Sequence, residues 1–87
     1  MADYNGWTNY ETWVVNLWLT NEPATYDDLT AIAKRNEESY IKADRLQEYV
    51  ASLNEEILDK AGLATDLLGN ALAQVNWREI VENHEND

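Results

Sequence analysis

The sequence predicts an all-α protein, a compact single-domain bundle of four or five short helices. Apolar residues recur at helical spacing in several segments, and no segment of useful length alternates with the period of two typical of a β-strand. N-cap and helix-breaking residues divide the chain at helix-sized intervals. Its 87 residues suit one domain, residues 1–87, whose ends at 1–6 and 83–87 we expect to fray.

The first helix is predicted from about Asn9 to Thr20. Thr8 and Glu11 have the spacing of a capping box, in which the threonine hydroxyl accepts from the backbone N–H of the glutamate. Asn9 is a competing N-cap one residue later. Pro23 cannot continue a helix, so we expect the helix to end before it.

An apolar stripe runs along the first helix at positions i, i+3, i+4, i+7 and i+8. A stripe of this kind is stable only when another surface covers it. We therefore expect it to be buried, with Trp13 and Trp18 in the core. Its members are Tyr10, Trp13, Val14, Leu17 and Trp18.

A second helix is predicted over residues 25–35 and a third over residues 38–53. The polar segment 36–39 interrupts the apolar pattern between them, which indicates a break or a kink. One long helix over residues 26–54 is the alternative, made less attractive by two polar side chains on its inner face. The predicted apolar faces are Tyr26, Leu29, Ile32 and Ala33 in the second helix, and Tyr40 or Ile41, Ala43, Leu46, Tyr49, Val50 and Leu53 in the third.

A fourth helix is predicted over the apolar stripe of residues 63–75, and a short fifth helix after it. The acidic segment 55–59 is either a connection or the first turn of the fourth helix, with Gly62 as its weak point. Asn76 and Glu79 form a second capping-box pattern at the start of the fifth helix. The apolar residues are Leu63, Leu67, Leu68, Ala71, Leu72 and Val75 in the fourth helix, and Trp77, Ile80 and Val81 in the fifth.

The formal net charge is −11, from 17 acidic and 6 basic residues. This charge argues against nucleic acid or an anionic membrane as a direct ligand, because both would repel the protein. A charged partner would therefore present a basic surface. The sequence shows no cysteine, no signal peptide and no membrane-spanning segment, so we expect a cytoplasmic protein.

No residue pattern indicates catalysis, a metal site or a cofactor, and we expect a protein that is not an enzyme. His84, the one histidine, stands in a charged segment near the end of the chain, which favours a solvated surface side chain over a general base. Adjacent carboxylates point about 100° apart on a helix and do not converge. The spaced oxygen ligands and central glycine of a calcium loop do not occur.

Acidic residues concentrate on the second and third predicted helices and on the segment after them. Rows of carboxylates along one face can imitate the regular phosphates of duplex DNA. Lys34, Arg35, Lys42 and Arg45 are interleaved with these acids and weaken the resulting field. The predicted partner-binding residues of this acidic face are Asp27, Asp28, Glu37, Glu38, Asp44, Glu48, Glu55 and Glu56.

Two tryptophans stand next to helix starts. Trp7 precedes the cap of the first helix, and Trp77 follows the cap of the last. A place in the core is one interpretation for each, and an exposed aromatic anchor for a partner is the other. The second interpretation is favoured by the content of Trp 4 and Tyr 5, which a domain of this size cannot fully bury.

The string WTNYETWVVNLWL, together with ALAQVNWREI near the end, resembles small acidic proteins of bacteriophages, plasmids and other mobile elements of prokaryotes. The resemblance covers nearly the whole chain and is strongest at Gly6–Leu19 and Leu67–Ile80. It implies an origin in a mobile element, but no activity and no site residues. Small acidic proteins of such elements often bind a host protein, and some inhibit restriction or CRISPR enzymes by presenting carboxylates in place of DNA phosphates.

These features support two functional hypotheses. The first is a non-enzymatic inhibitor, of the anti-CRISPR or anti-restriction type, whose acidic DNA-mimicking face binds a host protein with a basic nucleic-acid-binding surface. The alternative is a small structural or regulatory module that self-associates as a homodimer or docks on another protein through exposed Trp and Tyr side chains. In that case the acidic surface serves only solubility.

Overall fold

The computed structural model describes residues 4–87 and is all-α, as the sequence predicts. Within that range no residue belongs to a strand, and Tyr4 and Trp7 form one isolated bridge. The helices of this range are α1 (Tyr10–Asn21), α2 (Pro23–Ala33), α3 (Ser39–Leu53), α4 (Glu55–Leu58), α5 (Leu63–Ala73) and α6 (Trp77–Asn83).

The helices outnumber the predicted four or five because the acidic segment after α3 forms a separate short helix, α4. Gly62 lies between α4 and α5 with a φ of +152°, a conformation that L side chains rarely adopt. The hydroxyl of Thr65 donates to the carbonyl of Ile57 at 2.6 Å, which holds α5 back against α4. The glycine that was expected to weaken the fourth helix is therefore the residue at which the chain is divided.

Both ends of the described chain make ordered contacts. The N–H of Trp7 donates to the carbonyl of Tyr4 at 3.0 Å and closes a turn ahead of α1. At the other end, His84, Glu85 and Asp87 contact side chains of α1, α3 and α2 respectively. The first three residues of the predicted frayed lead-in lie outside the described range, and fraying of either end stays a prediction.

The core lies where α6 packs across α3, with α1 and α2 packed against them. The predicted apolar faces of the second, third and fifth helices supply most of it. Tyr40 and Leu53 of the third helix are exceptions, since both are more than half exposed. The buried apolar residues of the described chain are Leu19, Leu29, Ala33, Ala43, Leu46, Val50, Val75, Trp77, Ile80 and Val81.

The predicted break between the second and third helices is confirmed, and the alternative of one long helix is wrong. α2 ends at Ala33 and α3 begins at Ser39. Lys42 of α3 is 5% exposed; its ammonium donates to the carbonyl of Ala33 at 2.7 Å and pairs with Glu85 at 2.8 Å. The last carbonyls of a helix lack helical partners, so this lysine satisfies one of them. The chain must fold back between the two helices to allow it.

Asn9, and not Thr8, is the N-cap of α1. The side-chain oxygen of Asn9 accepts from the N–H of Thr12 at 2.9 Å, so the predicted capping box at Thr8 is wrong. The N–H of Thr8 instead donates to the carboxylate of Glu79 in α6 at 3.2 Å. At the next junction Pro23 follows the end of α1 as expected and is itself the first residue of α2, because its fixed φ suits a helix start.

A hydrogen-bond network joins the start of α1 to the start of α6. The hydroxyl of the fully buried Thr12 donates to Asn9 Oδ1 at 2.6 Å and accepts from the N–H of Asn76 at 2.8 Å. Asn9 Nδ2 donates to the carbonyl of Gln74 at 2.8 Å. Asn76 is the predicted cap of α6, and its side chain accepts from the N–H of Glu79 at 3.1 Å. Residues at each helix start therefore bind backbone groups at the other.

This cap-to-cap network decides which face of α1 is buried. Thr12, Val15, Asn16 and Leu19 stand at i, i+3, i+4 and i+7 and face the bundle. The two polar members are bonded, Thr12 in the network and Asn16 to His84, so neither is buried without a partner. The predicted apolar stripe lies on the opposite face of α1. The expectation that this stripe is buried in the core is therefore wrong.

Thr12→Val should destabilise the protein, because it keeps the shape of the side chain but removes the hydroxyl that binds Asn76. We expect the free energy of unfolding to fall by about 1–3 kcal/mol, measured by urea denaturation followed by circular dichroism. Thr30→Val is the matched control, since the hydroxyl of Thr30 donates only within its own helix, to Asp27. Its expected effect is below about 0.5 kcal/mol, and equal losses in the two variants would contradict the network's role.

Candidate protein-binding groove

An apolar groove lies between α1, the C-terminal end of α3, and α5. It is open to solvent and has a volume of about 480 Å³, within the range of about 300–1,000 Å³ found for ligand pockets. Its walls carry aliphatic and aromatic side chains from all three helices. The lining residues are Val14, Val15, Trp18, Leu19, Glu22, Thr25, Val50, Leu53, Asn54, Leu68 and Leu72.

The outer wall of the groove is α5, which contributes no buried residue to the core, although Leu72 packs against it. None of the residues of α5 is buried, and Leu63 and Leu67 are 76% and 60% exposed. Leu68 and Leu72 are half-buried and line the groove. The predicted burial of the 63–75 stripe is therefore wrong for α5, whereas Val75, beyond the helix, is buried. The separation at Gly62 lets α5 stand away from the bundle.

Trp18 lies at the groove with 66% of its surface exposed, so its predicted place in the core is wrong. The cause is the orientation of α1, which directs Thr12 inward and the opposite face outward. Val14 of this outward face also lines the groove. Trp13 is half-buried beside Tyr10, with ring centroids 5.8 Å apart. The outward face of α1 is thus apolar surface that the described residues leave largely uncovered.

The uncharged polar side chains of the groove are already bonded to backbone carbonyls. The hydroxyl of Thr25 donates to Leu19 at 2.8 Å, and the amide of Asn54 donates to Val50 at 2.8 Å. Glu22 is the charged lining residue. A small ligand is held in one orientation by free polar groups at fixed positions. This groove offers few of them and is better suited to apolar side chains.

The predicted acidic face does not present equivalent carboxylates, because Glu37 is held between two arginines. Its oxygens lie 2.7 Å from Arg45 and 2.8 Å from Arg35. Hydrogen bonds from Arg45 and Arg35 lower the pKa of Glu37 to about 2, and the same contact raises the pKa of Arg45. Glu37 therefore stays ionised, but the two guanidinium groups neutralise it and make it a poor substitute for a phosphate.

A second acid of this face, Asp28, is engaged by a tyrosine. Asp28 accepts a hydrogen bond from the hydroxyl of Tyr49 at 2.8 Å, which links α2 to α3. Burial, followed by this contact, raises the pKa of Tyr49 to about 12. Asp44 and Glu48 lie one helical turn apart on the outer side of α3. The exposed members of the predicted face, apart from Asp28, are Asp27, Glu38, Asp44, Glu48, Glu55 and Glu56, and the last two belong to α4.

The two tryptophans considered as anchors are placed close to the core. Trp77 is 8% exposed and belongs to the core, and Trp7 is partly buried against it. Neither lines the groove. A role of Trp7 or Trp77 as a partner anchor stays a prediction, whereas Trp18 is the tryptophan that the fold leaves exposed.

A polar cluster not foreseen from the sequence fastens the end of the chain to α1 and α2. The side chain of His84 is 12% exposed, with Nε2 2.7 Å from the oxygen of Asn16 and Nδ1 against Asp87. The expected solvated histidine is therefore wrong. The hydroxyl of Tyr26 donates to Asp87 at 2.9 Å and this bond raises the pKa of Tyr26, while contacts from His84 and then Tyr26 lower the pKa of Asp87. Asn16 and Tyr26 lie too far in sequence from His84 and Asp87 for any local pattern to reveal these contacts.

Within residues 4–87, no group of three or more His, Cys, Asp and Glu side chains is placed to hold a metal ion. The same stretch contains no helix with both the length and the apolar character needed to cross a membrane.

The chain matches one protein-family model over residues 1–86. It belongs to DUF7249, a family of unknown function. Comparison with curated proteins and with solved structures finds no match.

The Glu37 clamp, which Glu37 forms with Arg35 and Arg45, should make the free energy of unfolding depend on pH in the acidic range. The folded pKa of Glu37, about 2, lies below the ordinary value of 4.5, so acid protonates the unfolded chain first and favours unfolding. The contribution of the clamp is complete above about pH 5 and is lost as the pH falls toward about 2.

The measurement is the difference in Tm between wild type and Glu37→Gln across this range. We expect wild type to be more stable at neutral pH and the difference to shrink on acidification. Glu56→Gln is the control, because it removes one carboxylate without touching the Glu37 clamp. The difference in Tm between wild type and Glu56→Gln should not shrink on acidification. A difference in Tm between wild type and Glu37→Gln that stays constant with pH would contradict the role of the clamp.

Proposed function

We propose that this protein is a non-enzymatic protein-binding module of the cytoplasm that receives an apolar helix of another protein in the groove. The observation that carries the proposal is the outward apolar face of α1, which includes Val14 and Trp18. A helix that is apolar on nearly all sides is typical of one covered on all sides. Within residues 4–87, only the side of α1 that carries Thr12 and Leu19 is buried.

Further apolar residues are exposed in the groove and elsewhere on α1, α4 and α5. Exposed apolar surface on a small protein commonly marks an interaction site. A helix with apolar side chains at i, i+3 or i+4, and i+7 can fill such a groove as helix-binding domains do. The exposed residues are Leu53, which lines the groove, and Leu17, Ile57 and Leu67, and they are between 44% and 60% exposed.

Charge favours a different protein over a second copy as the occupant. Two chains of net charge −11 repel each other at low ionic strength, which opposes a homodimer. A basic or uncharged partner is not repelled in this way. Self-association through the groove is therefore one of the outcomes that the test distinguishes.

Trp18→Ala should abolish partner binding without unfolding the protein, because most of this side chain is in solvent. Tyr40→Ala is the matched control: Tyr40 is an aromatic residue of similar exposure, 62%, that does not line the groove. We expect the Tm of each variant to change by less than about 4 °C. Loss of an aromatic anchor typically weakens a complex about thirtyfold or more.

The assay is co-precipitation at low and high salt, followed by binding of the purified partner to each variant. Retention by Tyr40→Ala with loss in Trp18→Ala supports the proposal, and equal binding by both variants contradicts it. Sedimentation velocity on the same samples shows whether the protein self-associates through the groove. A dimer that depends on Trp18 and persists in high salt would make the occupant a second copy.

A second proposal keeps the hypothesis of a DNA mimic from a mobile element. It is supported by the net charge and by Asp44 and Glu48, which are exposed on the outer side of α3. The neutralised Glu37 and the engaged Asp28 count against it. The face that remains is too sparse to follow the phosphates of duplex DNA, which place one charge about every 1.7 Å along the axis.

Asp44→Asn combined with Glu48→Gln tests this second proposal. If the acidic face binds a nucleic-acid enzyme, the double variant should lose binding and retain its helicity, because both residues lie in solvent on α3. Competition with duplex DNA measures the same site, and the complex should dissociate as salt is raised. Full binding by the double variant would eliminate this face as the interface.

A further inference from the structure

Three glutamates line the groove or the hollow that adjoins it. Glu22 lines the groove itself. Glu55 and Glu56 line an adjoining hollow of about 410 Å³, which shares Leu53 and Asn54 with the groove. No lysine or arginine lines either of these two cavities. A ligand seated here therefore meets apolar walls and carboxylates.

Most of the basic residues lie away from the groove and are engaged in ion pairs. Residues 34–45 contain four of the six bases. Arg45 precedes Leu53 by eight positions, about 12 Å along the axis of α3. Lys60 is the base nearest to these glutamates: it lines a further hollow that also includes Glu56 and Ile57, but it lines neither the groove nor the hollow that adjoins it. The ion pairs of the described bases are Arg35 and Arg45 with Glu37, Lys42 with Glu85, and Arg78 with Glu82.

We infer that the helix received by the groove is a basic amphipathic helix, with apolar side chains on one face and Lys or Arg on its flanks. This inference rests on the proposed function and assigns a partner class to the same site. The apolar face covers Trp18 and Leu53. The basic flanks contact Glu22, Glu55 and Glu56, which we call the acidic rim of the groove. Opposite charge at an interface rim accelerates association and rejects partners of like charge.

A second copy of this chain does not supply such a helix. α1 contains Glu11 and no base, and α5 contains Asp66 and no base. Either helix placed in the groove of another copy would bring further negative charge to Glu22 and its neighbours. The partner of the inferred chemistry is consequently a different, basic protein segment.

The probe is a fluorescein-labelled Leu/Lys amphipathic peptide about 18 residues long, above the length at which isolated helices become marginal. Three peptides of equal length serve as comparisons: a Leu/Gln amphipathic helix, a Leu/Glu amphipathic helix, and a Leu/Lys peptide scrambled to remove its apolar face. Binding of each to the full chain is followed by fluorescence anisotropy. The Leu/Lys helix should bind most tightly and lose about tenfold in affinity between about 0.05 M and about 0.5 M salt.

Variants of the chain separate the groove from its charge. Trp18→Ala, and Leu53→Ala as a second groove variant, should each weaken the Leu/Lys helix about tenfold or more, while Tyr40→Ala should not. Replacing Glu22, Glu55 and Glu56 together by Gln should weaken it about tenfold and reduce the salt dependence. The charge-matched control replaces Asp27 and Asp44 by Asn and Glu48 by Gln, which changes the net charge equally but away from the groove.

The outcomes that contradict the inference can be distinguished from those that contradict the proposed function. If the Leu/Gln helix binds as tightly as Leu/Lys and still depends on Trp18, the inference is overturned and the proposed function stands. If the control triple variant weakens binding as much as the rim variant, the peptide is attracted by the net charge of the whole protein and not by the rim, and the inference fails. If the scrambled peptide binds equally and Trp18→Ala has no effect, the groove is not the binding site and both proposals fail. Absence of binding by the Leu/Lys helix also overturns the inference.

Discussion

The hydrogen bond from the N–H of Asn76 to the hydroxyl of Thr12 fixes the rotation of α1 about its own axis. A buried threonine must keep its partners, because an unsatisfied polar group in the core is costly. With Thr12 directed inward, Leu19 enters the core and Trp18 points away from it. The exposed apolar face of α1 is thus the consequence of a polar requirement at a helix start, and the groove exists because α5 stands apart from that face.

Charge in this protein has two separate roles. Near the junction of α2, α3 and the chain end, acids are matched with bases: Glu37 joins two arginines, and Glu85 pairs with the buried Lys42. These contacts hold elements together. The excess of acid, which produces the net charge of −11, lies outside these pairs and includes Glu55 and Glu56 near the groove. A total charge alone cannot distinguish the two roles, because only the positions of the bases reveal which acids remain available.

The parts of the fold that could be predicted from the sequence are those set by local chemistry. Asn76 caps α6 because a short polar side chain can bind nearby N–H groups, and the polar segment 36–39 interrupts the apolar period between α2 and α3. The face of α1 could not be predicted, because its inward stripe includes Thr12 and Asn16, which resemble solvent-facing residues until their distant partners are known. The groove could not be predicted either, since the apolar residues of α5 have a helical period whether or not anything covers them.

The Thr12–Asn76 contact also has a consequence for the order of events during synthesis. Its two residues are 64 positions apart in a chain of 87, so α1 cannot acquire its final orientation until α6 has left the ribosome. Closing so long a loop carries an entropic cost that local helix formation does not. Until Asn76 has been synthesised, the nascent chain therefore leaves both faces of an apolar, tryptophan-rich helix without their final partners, and exposed hydrophobic surface of this kind favours aggregation.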